Sequence, residues 1–142
     1  MNEQWLARHP EDISDQANFA EAHFTVGRFA ESGQRINALL ANQAVPPSTR
    51  TALRAIEIAD LLALGHIQEV PAKVDALIAE VARQPLEFKV LWRFDGTRHF
   101  IGQDEKLSSY RAWLGKLFDA LANKDRDTML KALQDVRAEF KP

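Results

Sequence analysis

Between Asp12 and Val26 the apolar residues Ile13, Ala17, Ala20 and Phe24 recur at i, i+4, i+7 and i+11, the spacing that places side chains on one face of an α-helix. Gly27 closes that stripe. A second stripe, Phe29, Ile36 and Leu40, runs to Pro46 and Pro47, where a missing amide proton and a restricted preceding residue end helical bonding. Two stripes joined at a glycine predict a helical hairpin over residues 12–45. The pattern then restarts. Ser48 offers a hydroxyl as N-cap ahead of Leu53, Ile56, Leu61 and Leu64, and Gly65 follows. Val70, Val74, Leu77 and Val81 form a fourth stripe that opens near Pro71, a residue tolerated in a first turn. This second hairpin spans residues 48–84.

The two hairpins superpose in sequence at a constant offset of 38, which matches Gly27 to Gly65, Phe29 to Ile67, Glu31 to Glu69 and Ile36 to Val74. Arg35 to Ala41 aligns with Lys73 to Ala79, identical or chemically similar at every position. A period of this size marks a supersecondary unit whose apolar face a neighbouring copy must cover. With Ala20, Gly27, Phe29, Glu31 and Ser32 in the first copy, and Gly65, Ile67 and Glu69 in the second, residues 12–85 resemble the tetratricopeptide repeat. Ile58 and Val70 stand where that motif has small residues. The resemblance implies a concave surface lined by first-helix side chains that binds a peptide or another protein. Asn18, Glu21 and Thr25 of the first copy would line it beside Ala55, Ala59 and Ala63 of the second.

Past Pro85 the period changes, with Val90, Trp92 and Phe94 alternating with Lys89, Leu91 and Arg93 before Asp95 and Gly96. Asp-Gly between alternating runs predicts a small β-hairpin near residues 88–101, inserted within 86–104. It would place Val90, Trp92, Phe94, Thr97, His99 and Ile101 on one face and set Arg93 opposite Arg98. The competing pattern is a short helix from Leu86 to Phe94 with a loop after it. Helical periodicity returns with Leu107, Tyr110, Trp113 or Leu114, Leu117, Phe118 and Leu121, then with Met129, Leu130, Leu133, Val136 and Phe140 behind an Asp125 cap. A third hairpin over 105–140 completes the array. The fold class is therefore mainly α, three helical hairpins of TPR-like or α-solenoid-like form, in one domain over residues 1–142.

Composition narrows the chemistry. The absence of cysteine removes disulfide scaffolds, thiolate metal sites and thiol nucleophiles. A net charge of -2 with scattered Lys and Arg lacks the clustered positive footprint of a nucleic-acid binder. No apolar leader occurs in Met1 to Pro10, and no run is long enough to span a bilayer, so a cytoplasmic protein without a membrane partner is expected. His9, His23, His66 and His99 have no metal-ligand spacing, and no glycine-rich phosphate loop or nucleophile elbow is present. No catalytic residue, metal or cofactor is assigned. His23 reads as a hydrogen-bonded core or groove residue, and Glu11, Asp12 and Asp15 as carboxylates at a helix N-terminus.

One feature is not absorbed by the helical pattern. Arg93 and Arg98 paired across strands would repel, so a carboxylate from Asp104 or Glu105, or an anionic ligand, must offset them. The leading expectation is a protein–protein interaction module, an adaptor, chaperone-like protein or regulatory subunit taking a peptide or helix in its groove. The alternatives are a small anionic-ligand domain using Trp92, Arg93, Arg98 and His99, and an enzyme with no recognisable motif. A homo-oligomer is compatible with each.

Overall fold

A computed structural model describes residues 12–141; Glu11 and His9 lie outside the described residues. Helix α1 (Ile13–Phe24) opens at Asp12, whose carboxylate accepts from the Asp15 amide at 3.1 Å and so satisfies one of the free first-turn donors. It closes at Gly27, where φ is +83°. The Gly27 amide donates to the Phe24 carbonyl at 3.0 Å and the Arg28 amide to the His23 carbonyl at 2.8 Å, the paired closure of a Schellman motif. The end of α3 (Pro47–Ala63) is built the same way. Gly65 has φ +78°, its amide donates to Leu62 at 3.2 Å, and the His66 amide donates to Leu61 at 2.8 Å. Only glycine takes this backbone without strain, so each glycine fixes where its hairpin reverses.

After the first turn comes α2 (Phe29–Leu40); after the second, a 3-10 turn (Ile67–Glu69) leads into α4 (Val70–Ala82). Ser48 is not the N-cap of α3. Pro47 is already the first helical residue, and Ser48 Oγ instead accepts from the Leu91 amide at 2.7 Å. A proline there has no amide to satisfy, which leaves the serine hydroxyl for a distant segment.

The β-hairpin expected near 88–101 is not formed, and no strand occurs among the described residues. Residues 88–94 are irregular, and Asp95 and Gly96 begin a helix, α5 (Asp95–Ile101). The competing pattern has the order reversed, since the loop precedes the helix. Tertiary contact explains the outcome: Thr97 and Ile101, at i and i+4, are buried, and Phe100 meets Phe24 and Phe29 with ring centroids 5.2 and 6.0 Å apart. A 3-10 segment (Glu105–Tyr110), α6 (Arg111–Leu121) and α7 (Arg126–Glu139) follow. Asp125 caps α7 by accepting from the Thr128 amide at 2.8 Å.

Successive helices pack α1 on α2, α2 on α3 and α3 on α4; α7 then packs on both α4 and α6. Helix α3 is central, touching α1, α2, α4, α6 and the 3-10 segment. Its Leu53, Ile56 and Ile58 join Phe24, Ile36, Leu77, Leu117 and Met129 in the fully buried core, each such side chain contributing roughly 1.5–3 kcal/mol. No helix among the described residues is long and apolar enough to cross a membrane.

Candidate functional site

Residues 83–94 form a strap tied to three helices. The Arg126 amide donates to Leu86 O at 2.7 Å, the Leu91 amide to Ser48 Oγ at 2.7 Å, and Trp92 Nε1 to Glu21 Oε2 at 3.1 Å. The same Glu21 oxygen accepts from the buried Thr97 hydroxyl at 2.6 Å. Glu21, expected at the edge of a partner groove, is thus engaged by its own chain.

The other groove residues do not form one open surface. Ala55 and Ala59 are fully buried, Ala63 is half-buried against the core, Thr25 is half-buried with its hydroxyl donating to Ala22 O at 3.2 Å, and Asn18 is exposed. The 3-10 segment packs on α3 with Leu107 fully buried, and Ala55 and Ala59 of that helix have no exposed surface to offer a partner.

The expected anion-binding residues are partly brought together. Trp92, Arg93 and Arg98 line a cavity of about 330 Å³ beside Phe94 and Phe118; His99 is exposed and is not among its lining residues. Arg98 does not face Arg93 across a ladder. It lies on α5, donating to the Asp119 carboxylate and to Gly115 O at 3.4 Å, and Arg93 Nε stands 3.9 Å from Asp95. Neither Asp104 nor Glu105 balances the pair. The Asp104 carboxylate caps the 3-10 segment through the Lys106 amide at 2.9 Å.

The sequence reading missed a set of buried ionisable groups. Ser32 on α2 donates to Asp60 Oδ2 on α3 at 2.7 Å, and Glu57 one turn earlier lies 3.5 Å from Lys73 Nζ. Burial pushes the Asp60 carboxyl up to about 8, with the neighbouring Glu57 adding to the rise and the Ser32 bond opposing it. Burial also raises Glu57 despite the charge and hydrogen bond of Lys73. Asp60 Oδ1 and Glu57 Oε1 have no hydrogen-bond partner. Glu80 is the opposite case: burial alone would raise it, but hydrogen bonds from Arg50 and Arg83 and the charges of Arg54 and Arg50 hold it below the usual value. The available signal was charged residues at i and i+3 within the heavily apolar stretch of α3.

At the α1–α2 turn, Phe19, Ala22, His23, Val26 and Arg28 line a hollow of about 520 Å³. Both nitrogens of the buried His23 ring face acceptors, Nδ1 at 2.9 Å from Phe19 O and Nε2 at 3.2 Å from Glu31. The Arg35 guanidinium sits 4.5 Å above the Phe19 ring. Among the described residues no group of three or more His, Asp or Glu side chains is placed to hold a metal ion. Compared with protein-family models, curated proteins and solved structures, the chain has no match that assigns it a family, a relative or a known fold.

Proposed function

We propose that the chain is a protein–protein interaction module of tetratricopeptide-like hairpins, acting in the cytoplasm, whose contact surface is the outer side of the α1–α2 turn rather than a groove over α3. The observation that carries this is a second apolar stripe that starts on α1 and continues into the turn after it. Ala17, Ala20 and Phe24 face the core, while Phe19, Ala22 and Val26, at i, i+3 and i+7, line the open hollow, Val26 with 70 % of its surface exposed. An outward stripe of this kind serves a partner better than it serves solvation. Arg28 beside it favours a partner segment that brings apolar side chains and a carboxylate.

The recurrence of the turn supports the repeat reading. At the same offset of 38, Leu64 repeats the exposed position of Val26, and the His66–Glu69 contact at 3.3 Å repeats Arg28–Glu31 at 3.6 Å. Selection of displayed peptides on the purified domain tests the proposal. Peptides with apolar and acidic positions should be enriched on the wild type and lost on a folded Val26→Glu variant. Enrichment that survives Val26→Glu, or that disappears only with Asn18→Arg, would remove this surface from consideration.

A further inference from the structure

We infer that the cavity between the strap, α5 and α6 is a binding site for an amphipathic monocarboxylate, an aromatic or short-chain aliphatic acid. Its volume, about 330 Å³, is at the lower end of the range for ligand pockets, which suits a small molecule rather than a folded peptide. Val90, Trp92, Phe94, Phe118 and Leu121 supply apolar walls. These walls are held in advance of any ligand: Trp92 is pinned through its indole nitrogen to Glu21, and the Phe94 and Phe118 rings pack at 4.7 Å. Preorganisation of this kind lowers the ordering cost of binding.

The cations are Arg93 and Arg98. The Arg93 side chain is 89 % exposed and its contact with Asp95, at 3.9 Å, is beyond hydrogen-bond distance, so an entering carboxylate displaces little. Both contacts of Arg98, to Asp119 and Gly115, are made by Nη2, which leaves Nε and Nη1 for a second acceptor. Asp95 and Asp119 already offset the two guanidiniums in part. A single negative charge on an apolar body therefore matches the site better than a dianion such as phosphate. This site is distinct from the Val26 surface, so each stands or falls alone.

Titration calorimetry on the full chain tests it with phenylacetate and hexanoate, their uncharged amides, and inorganic phosphate. The expected result is saturable binding of at least one acid, weakened about tenfold or more in its amide and in Arg93→Gln. Ala122→Phe, which fills the cavity from an exposed lining position, should abolish binding. Both variants should melt with the wild type, because neither position is buried. No saturable binding of either acid, amides binding as well as acids, unchanged binding by Ala122→Phe, or phosphate binding as tightly as the acids would each overturn the inference.

Discussion

Ser32 and Asp60, 28 residues apart, meet at 2.7 Å between α2 and α3 with both side chains withdrawn from water. The Asp60 carboxyl titrates near 8 in the folded protein and near 3.8 unfolded, so across that interval the native state holds a proton that the unfolded chain has released. Stability therefore falls as pH rises and levels off above about 8. Glu57, also raised, adds in the same direction. Wild-type stability should drop by on the order of 3 kcal/mol from about pH 5 to about pH 8 in denaturant titrations. Asp60→Asn should flatten that slope, whatever offset its unpaired amide introduces; an unchanged slope would mean Asp60 is ionised in the fold.

Glu80 acts at the other end of the scale. Its oxygens accept from Arg50 Nε at 2.7 Å and Arg83 Nη2 at 2.6 Å, with Arg54 Nε 3.9 Å away. Because its folded value lies below its unfolded one, its contribution is complete above the unfolded value and is lost as pH falls through the folded one. Glu80→Ala leaves these cations without their shared anion and should cost about 3–5 kcal/mol in chemical unfolding at neutral pH. A loss under about 1 kcal/mol would show that water already serves those arginines.

Glu21 fastens the strap. Glu21→Ala leaves the Trp92 indole and the buried Thr97 hydroxyl without their shared acceptor, at an expected cost of about 1–3 kcal/mol. Amide exchange should accelerate over residues 88–97 before it does in α3 or α4. Uniform acceleration over the whole chain would show that the strap and the helices open together.

Gly27 and Gly65 make a matched pair of tests. A Cβ built on either meets nothing within 4 Å, so the penalty of Gly27→Ala or Gly65→Ala is backbone strain alone, roughly 1–2 kcal/mol each by thermal unfolding. Asparagine, which tolerates this conformation better, should cost less at both positions. A marked difference between the two sites would contradict the shared closure geometry.

The helices were legible because each has its apolar residues on one face, and Gly27 and Gly65 mark real reversals. The inserted segment was not. Phe94, Thr97 and Ile101 satisfy a helical spacing as well as Asp95-Gly96 satisfies a hairpin signal, and the choice was made by Phe24 and Phe29, some 70 residues away. The fate of the groove was hidden too, since nothing local to Ala55 or Ala59 shows that both end fully buried. Trp92, Arg93 and Arg98 line one cavity, but not through the strand pairing that the sequence suggested, and His99 is not among its lining residues. Asp60 and Glu80 were passed over because a carboxylate on a helix reads as solvated unless its partners on adjoining helices are known.

The bonds from Glu21 to Trp92 and Thr97 bridge 71 and 76 residues, and this sets an order of events during synthesis. Helices α1 to α4 emerge first and can pair locally, yet the carboxylate on α1 must wait for more than half the chain before its partners exist. Closing so long a loop is slow compared with forming a helical pair. Until then the rings of Phe24 and Phe29 lack the cover that Phe100 gives them in the finished molecule. The nascent chain thus passes through an interval in which these rings are less covered than in the finished molecule, and a ribosome stalled before Phe100 emerges would hold the protein in that state.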